Sequence, residues 1–122
     1  MGMVLQFNLS QAGFEVTLVR DGLEAIEQVK QNVFDLIITD QQMPRMSGEQ
    51  FCRQARWELG VTTPMAMCTA KGLEVDAAHL VVEYDLERIF TKPFSPLEVV
   101  TFAQSLTEGQ RANIPSPEVA IA

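Results

Sequence analysis

Leu36-Ile37-Ile38-Thr39-Asp40-Gln41-Gln42-Met43-Pro44 is the stretch on which the reading of this 122-residue chain turns. An unbroken apolar run such as Leu36-Ile37-Ile38 suits a strand covered on both faces, and burial on both faces is the habit of parallel sheets. The run ends at Thr39-Asp40, so a carboxylate is left at the carboxyl end of a buried strand. A loop with Met43-Pro44 and Ser47-Gly48 then leads into a helix predicted from about Gly48 to Leu59 and stopped by Gly60.

Working outward, the same alternation repeats. Downstream, Met65-Ala66-Met67-Cys68 reads as a strand that ends at Thr69, residues 73–83 have a helical pattern, and Arg88 to Thr91 is a short strand ending at Lys92. Pro96 opens the last helix, where a missing N–H costs nothing. Upstream, Val4, Leu5, Leu9 and Ala12 follow helical spacing and Gly13 closes the segment, which predicts a helix over 2–12. A strand with Met3, Leu5, Phe7 and Leu9 alternating ranks second. Phe14, Val16 and Leu18 alternate with Glu15 and Thr17 as a half-exposed strand. Asp21 is placed to N-cap a helix that carries Ala25, Ile26 and Val29 on one face, with Glu24 completing a capping box.

Strands alternating with helices through short links predict an open α/β sheet with right-handed crossovers. In such sheets ligands and chemistry collect at the carboxyl ends of the strands. Those ends carry Asp40, Thr69 and Lys92, so an acid, a hydroxyl and an amine from distant positions converge on one edge. Taken singly, Asp40 is a turn residue and Lys92 a solvated amine. Their coincidence with Thr69 reverses that reading.

Composition bounds the rest. A mass of 13.6 kDa with 47% apolar and 20% charged residues is one domain that buries a core. Nine basic against 16 acidic residues leave a net charge of −7, which offers nothing to attract nucleic acid or an anionic membrane. No apolar run approaches the ~18–20 residues of a membrane span, and no secretory signal is evident, so a cytoplasmic protein is expected. Cys52 and Cys68 sit in apolar stretches and read as small core hydrophobes. His79 reads as a surface histidine, Trp57 as a packing or partly exposed anchor, and Glu74, Asp76, Glu83, Asp85 and Glu87 as a solvated face. The domain is assigned to residues 1–108. Residues 109–122, with Ile114-Pro115-Ser116-Pro117 and little periodicity, are assigned to a tail or linker.

The pattern resembles the receiver domain of bacterial two-component response regulators. Asp40 through Gly48 looks like the family's phosphoacceptor loop, Thr69-Ala70 its switch hydroxyl, and Lys92-Pro93-Phe94 its lysine signature. Gly13-Phe14-Glu15-Val16, Gly22-Leu23-Glu24-Ala25 and Phe34-Asp35-Leu36-Ile37 match weaker patterns, and the resemblance runs from residue 4 to about 106. It implies a flavodoxin-like open parallel sheet with helices on both faces. It also implies a phosphorelay signalling domain rather than an enzyme in the ordinary sense, catalysing at most its own phosphotransfer and dephosphorylation. Asp40 would take a phosphoryl group from a sensor histidine kinase or phosphotransfer protein, Thr69 and Lys92 would contact that group, and a partner surface would switch. Mg²⁺ is part of the family's site, held by the acceptor Asp, a backbone carbonyl two residues on, here that of Gln42, and acids after the first strand.

The chain departs from the family in that last feature. It opens in the first helix, so the first strand and its acidic pair are absent. Asp40 and the Gln42 carbonyl are too few donors for a hard ion that prefers near-octahedral oxygen coordination. The aromatic switch position three residues before the lysine is Ile89, and Phe90 points to the other face of its strand. These departures define the alternative, a pseudo-receiver acting as a phosphorylation-independent binding or dimerisation module. A phosphohydrolase ranks third, because Gln42 stands where a second Asp would serve as acid/base. In the family's strand order, 2-1-3-4-5, the missing strand is interior. Its empty slot predicts either closure of the flanking strands or, preferred here, pairing with a second copy of the chain.

Overall fold

The computed structural model describes residues 2–70, 77–108 and 117–122. In chain order the elements are α1 (Gly2–Gln11), β1 (Glu15–Leu18), α2 (Gly22–Gln31), β2 (Leu36–Asp40) and α3 (Gly48–Arg53) with a π-helical turn (Gln54–Glu58). There follow β3 (Met65–Thr69), α4 (Ala77–Tyr84), β4 (Arg88–Thr91), α5 (Pro96–Thr107) and β5 (Glu118–Ile121). The expected Asp21 cap is present, its side chain accepting from the Glu24 N–H, while the reciprocal capping box forms not there but at the start of α3, between Ser47 and Gln50. Pro96 occupies the first turn of α5 behind the Ser95 cap. The start of the helix predicted over 73–83 lies outside the described residues, and its remainder is α4.

All strands pair in parallel, in the order β1-β5-β2-β3-β4. This is the flavodoxin-like sheet expected, with one correction. The last residues of the segment assigned to a tail or linker form β5, and β5 fills the interior slot between β1 and β2. Neither closure of the flanking strands nor a second copy is needed. Val119 and Ala120 stand beside Val16 and Thr17 on one side and Leu36 and Ile37 on the other. Four residues after a proline-rich stretch show no periodicity of their own, so a reading based on local pattern passes over them. Long-range pairing decides their state. Asp35 supplies a specific anchor: its N–H donates to the Glu118 carbonyl at 2.8 Å, and its carboxylate accepts from the Glu118 N–H at 2.8 Å.

Strand alternation sorts the core onto two faces. Ile37, Met65, Met67 and Ala120 pack with Ala25 and Ile26 of α2, Phe51 and Cys52 of α3, and Leu80 and Tyr84 of α4. Leu36, Ile38, Ala66, Cys68, Val119, Ile121 and Phe90 face Leu5 and Leu9 of α1 and Val99, Val100 and Ala103 of α5. Both cysteines are buried core residues, as expected, and burial pushes each thiol up to about 12. Each is therefore a neutral hydrophobe near neutral pH.

The π-helical turn closes with the Leu59 N–H bonded to the Gln54 carbonyl at 3.0 Å. Its Arg56 donates to the carbonyls of Tyr84, Val61, Thr63 and Asp85 at 2.8–3.1 Å, tying the turns before β3 and β4 together. Replacement by Ala removes a charged donor from four acceptors at once. Arg56→Ala is expected to lower stability by about 2–4 kcal/mol, read as a shifted urea midpoint at unchanged slope.

Candidate functional site

The site forms where three neighbouring strands end. Asp40 is the last residue of β2, Thr69 the last of β3, and Lys92 follows β4 directly. Backbone bonds fix their relative heights: the Lys92 N–H donates to the Thr69 carbonyl at 2.8 Å, and the Gln41 N–H to the Cys68 carbonyl at 2.8 Å. Lys92 Nζ reaches Asp40 Oδ2 at 2.7 Å, with the two side chains 33% and 16% exposed. The other carboxylate oxygen, Oδ1, accepts from the Gln42 N–H at 3.2 Å. Thr69 is buried beside them at the same edge. The Lys92–Pro93 peptide is cis.

The loop after Asp40 is held from below by α3. The Gly48 N–H donates to the Gln41 carbonyl at 2.9 Å, and the Glu49 N–H to the Gln41 side chain at 2.7 Å. A Cβ at residue 48 would lie 2.5 Å from the Asp40 carbonyl oxygen and 2.9 Å from Gln41 Cα. Only glycine allows this approach, so Gly48 positions the Asp40 loop. On the far side of Asp40, β5 takes part: the Asp40 N–H donates to Ala122 O at 2.9 Å, and the Ala122 N–H to the Ile38 carbonyl at 2.8 Å.

A cavity of about 210 Å³ opens beside Asp40 at the ends of β1, β5 and β2. Its charged lining residues are Asp40 and Arg20, and Gln42 and Met43 complete the Asp40 side. Arg20 and the β5 backbone are contributors that sequence reading missed. Arg20 had a signal, since it directly follows the apolar end of β1 and so stands at the same sheet edge. A second, apolar cavity of about 300 Å³ lies on the other side of Lys92, lined by Val4, Leu5, Lys92, Pro93, Phe94 and Pro96.

The Mg²⁺ that the family resemblance implies can be tested against these donors. Among the described residues, no three His, Cys, Asp or Glu side chains group to hold a metal. The acid next to Arg20, Asp21, is committed elsewhere: one oxygen caps α2 through the Glu24 N–H at 2.9 Å and the other lies 3.7 Å from Arg45. Glu15 sits at the opposite, amino end of β1. Asp40 and Gln42 remain, with Lys92 already on one Asp40 oxygen, and the residues present do not fit the ion.

The strand reading of Ile89 and Phe90 holds. Phe90 is buried on the α1/α5 face against Phe94 and Phe102, with ring centroids 5.6 and 5.5 Å away, whereas Ile89 packs on the α2–α4 side. His79 is exposed, 3.9 Å from Glu83. Trp57 is 57% exposed and lies against Tyr84 and the Arg53 guanidinium.

An open parallel sheet with an Asp, a Thr and a Lys at the ends of three adjacent strands defines a class, and comparison with known proteins names it. The response regulator receiver domain family matches residues 1–104. The chain belongs to this family, and so to two-component signalling. It is 34% identical over 95% of its length to the alkaline phosphatase synthesis transcriptional regulatory protein PhoP of Bacillus subtilis, covering 48% of that protein. It is 34% identical over 79% of its length to the sensory transduction protein RegX3 of Mycolicibacterium smegmatis, covering 41% of that protein. The chain thus spans about half the length of these relatives or less. The receiver domain of the Francisella response regulator 1452 has the same fold, with a TM-score of 0.81 at 22% identity over 89% of this chain and 88% of that one. The family match ends before β5, which lies outside it. Among the described residues no helix is long and apolar enough to cross a membrane.

Proposed function

We propose that this domain is a phosphoacceptor: Asp40 takes a phosphoryl group from the phosphohistidine of a sensor kinase or phosphotransfer protein, and the change in charge alters a partner surface. The observation that carries this reading is the 2.7 Å contact between Lys92 Nζ and Asp40 Oδ2, which reaches across the end of β3 from β4 to β2. A carboxylate is a weak nucleophile, and the group it must receive is an anion. A fixed cation at the acceptor oxygen stabilises the charge that builds on the phosphoryl oxygens during transfer.

In the step itself, Asp40 Oδ1, whose one hydrogen bond is the longer 3.2 Å contact, forms the new oxygen–phosphorus bond. The phosphorus–nitrogen bond of the donor breaks, and its electron pair leaves on the imidazole nitrogen. Lys92 then transfers its contact from Oδ2 to a phosphoryl oxygen, and the Thr69 hydroxyl donates to another. Two displaced groups at one sheet edge give the signal its structural form.

The donor needs a landing surface beside Asp40. The outer face of α1 presents Met3, Val4 and Phe7 at 77%, 52% and 64% exposure, and Val4 continues into the apolar cavity whose rim is Lys92 and Pro93. Apolar exposure next to a charged site suits a helical protein partner. The domain carries no basic surface charge excess for nucleic acid, and we place it in the cytoplasm with its kinase.

The test is incubation with acetyl phosphate, followed by intact-mass and peptide mass spectrometry. An added phosphoryl group, labile to hydroxylamine and mapped to Asp40, is expected, with complete loss in Asp40→Asn. Label that survives in the Asn variant, or none in the parent chain, refutes the acceptor reading. The second outcome favours the pseudo-receiver, which Ile89 at the aromatic switch position also supports.

A further inference from the structure

The residue after Asp40 is fastened to α3, and α3 in turn to the end of α4. We infer that the polar bridge Gln41–Glu49–Tyr84 carries the state of Asp40 to the face that Arg53, Trp57 and Tyr84 form beside α3. The inference rests on the acceptor reading for the event that triggers it, but the bridge responds to any change of charge at Asp40.

Gln41 holds the start of α3 with both of its oxygens. Its carbonyl accepts from the Gly48 N–H at 2.9 Å and its side chain from the Glu49 N–H at 2.7 Å, N–H groups of a first turn that have no partner within the helix. A displacement of the Asp40 loop therefore moves α3 at its root. Further along, the same segment grips one residue of α4 at three points. The Tyr84 hydroxyl donates to Glu49 Oε2 at 2.9 Å and accepts from Arg53 at 3.1 Å, and the Tyr84 carbonyl accepts from Arg56 of the π-helical turn at 2.9 Å. Glu49 and Arg53 stand one turn apart on α3, 3.6 Å from each other. A shift of α3 must carry the phenol with it or break both of its bonds, and an element with two such arrangements is what transmits a change between sites. Tyr84 is buried and is the last residue of α4, so the helix end follows the phenol. Its ring lies 5.6 Å from the Trp57 ring, and the Arg53 guanidinium lies 5.6 Å from the same indole. Trp57 is the chain's one tryptophan and is exposed, so the movement reaches the surface there. The β4 side offers no equivalent: Ile89 packs against apolar side chains and has no polar side-chain atom with which to follow the Thr69 hydroxyl.

The test follows the Trp57 indole N–H by two-dimensional ¹⁵N NMR in the chain and in Asp40→Asn, which weakens the hold of Lys92 and the Gln42 N–H on the loop. The comparison is repeated with both chains carrying Tyr84→Phe, which keeps the ring and removes the hydroxyl, and again with Gln41→Ala, which cuts the bridge at its other end. Asp40→Asn is expected to move the Trp57 signal together with the Glu49 amide, and each cut is expected to remove more than half of the Trp57 displacement. Urea midpoints confirm that the variants fold. A Trp57 signal that stays in place in Asp40→Asn, or that moves equally with the bridge intact and cut, overturns the inference. Acetyl phosphate supplies the second arm, with the labelled fraction read by intact mass. A Trp57 response to Asp40→Asn that needs Tyr84, in a chain that acetyl phosphate fails to label, sustains the bridge while removing the acceptor reading. Labelling at Asp40 with a Trp57 response indifferent to Tyr84→Phe does the reverse.

Discussion

A chain ending at Glu108 is expected to lose its cooperative thermal transition and most of the dispersion of its amide spectrum. Removing β5 opens both interior edges of the sheet. The ladder bonds from Glu15, Val19, Asp35 and Asp40 to residues 117–122 lose their acceptors, at about 1–3 kcal/mol for each backbone group left buried and unpaired. Val119 and Ile121, 0% and 1% exposed, are lost from the core between the sheet and α1/α5, at roughly 1.5–3 kcal/mol for each side chain. The sum reaches the ~5–15 kcal/mol that holds a domain together. Ile121→Ala grades the effect: it keeps the ladder and removes only packing, so a loss of about 2–4 kcal/mol in urea unfolding is expected. A cooperative melt in the truncated chain, at the temperature of the parent, would show that β5 contributes nothing.

Lys92→Ala is expected to slow phosphoryl transfer from acetyl phosphate to Asp40 by about 10²–10³-fold, the usual cost of one well-aimed electrostatic contact. Its effect on stability should be small. The ammonium is 33% exposed, and ion pairs in contact with water contribute only ~0–1 kcal/mol. A large kinetic loss with a nearly unchanged urea midpoint therefore separates chemistry from folding. Lys92→Arg should recover only part of the rate, because a planar fork does not reproduce the point contact of an ammonium on Asp40 Oδ2. Equal rates in the Ala variant and the parent would take Lys92 out of the step.

The residues that were legible in the sequence share one property: a local pattern announces them. Leu36-Ile37-Ile38 declares a buried strand by composition, and the rule that chemistry gathers at strand ends then selects Asp40, Thr69 and Lys92 without knowledge of distances. The Asp21 cap, Pro96 at the start of α5 and the stop at Gly60 are likewise written in single residues. What was missed depends on contacts far apart in the chain. Glu118 pairs with Glu15, 103 residues away, and no window of sequence holds both. The π-helical turn was hidden because an apolar helical pattern running to Gly60 looks the same whether the last turn closes after four residues or five. Arg20 reads as a solvated side chain until the cavity beside Asp40 is seen to count it among its lining.

The position of β5 also sets an order of assembly. Ile37 meets Met65 across 28 residues and Ala66 meets Arg88 across 22, whereas β5 must return over the whole length of the chain to enter the sheet. Loop closure makes the near pairings faster, so β2, β3 and β4 can join before the last strand arrives. The Asp40–Lys92 contact spans only those three strands, and the chemical edge can thus form in an incomplete sheet. Until Glu118–Ile121 enters the sheet, β2 stands as an open edge. That interval is when the chain is most exposed to pairing with a neighbour, and the speed with which Glu118–Ile121 inserts governs how much of it reaches the monomeric fold.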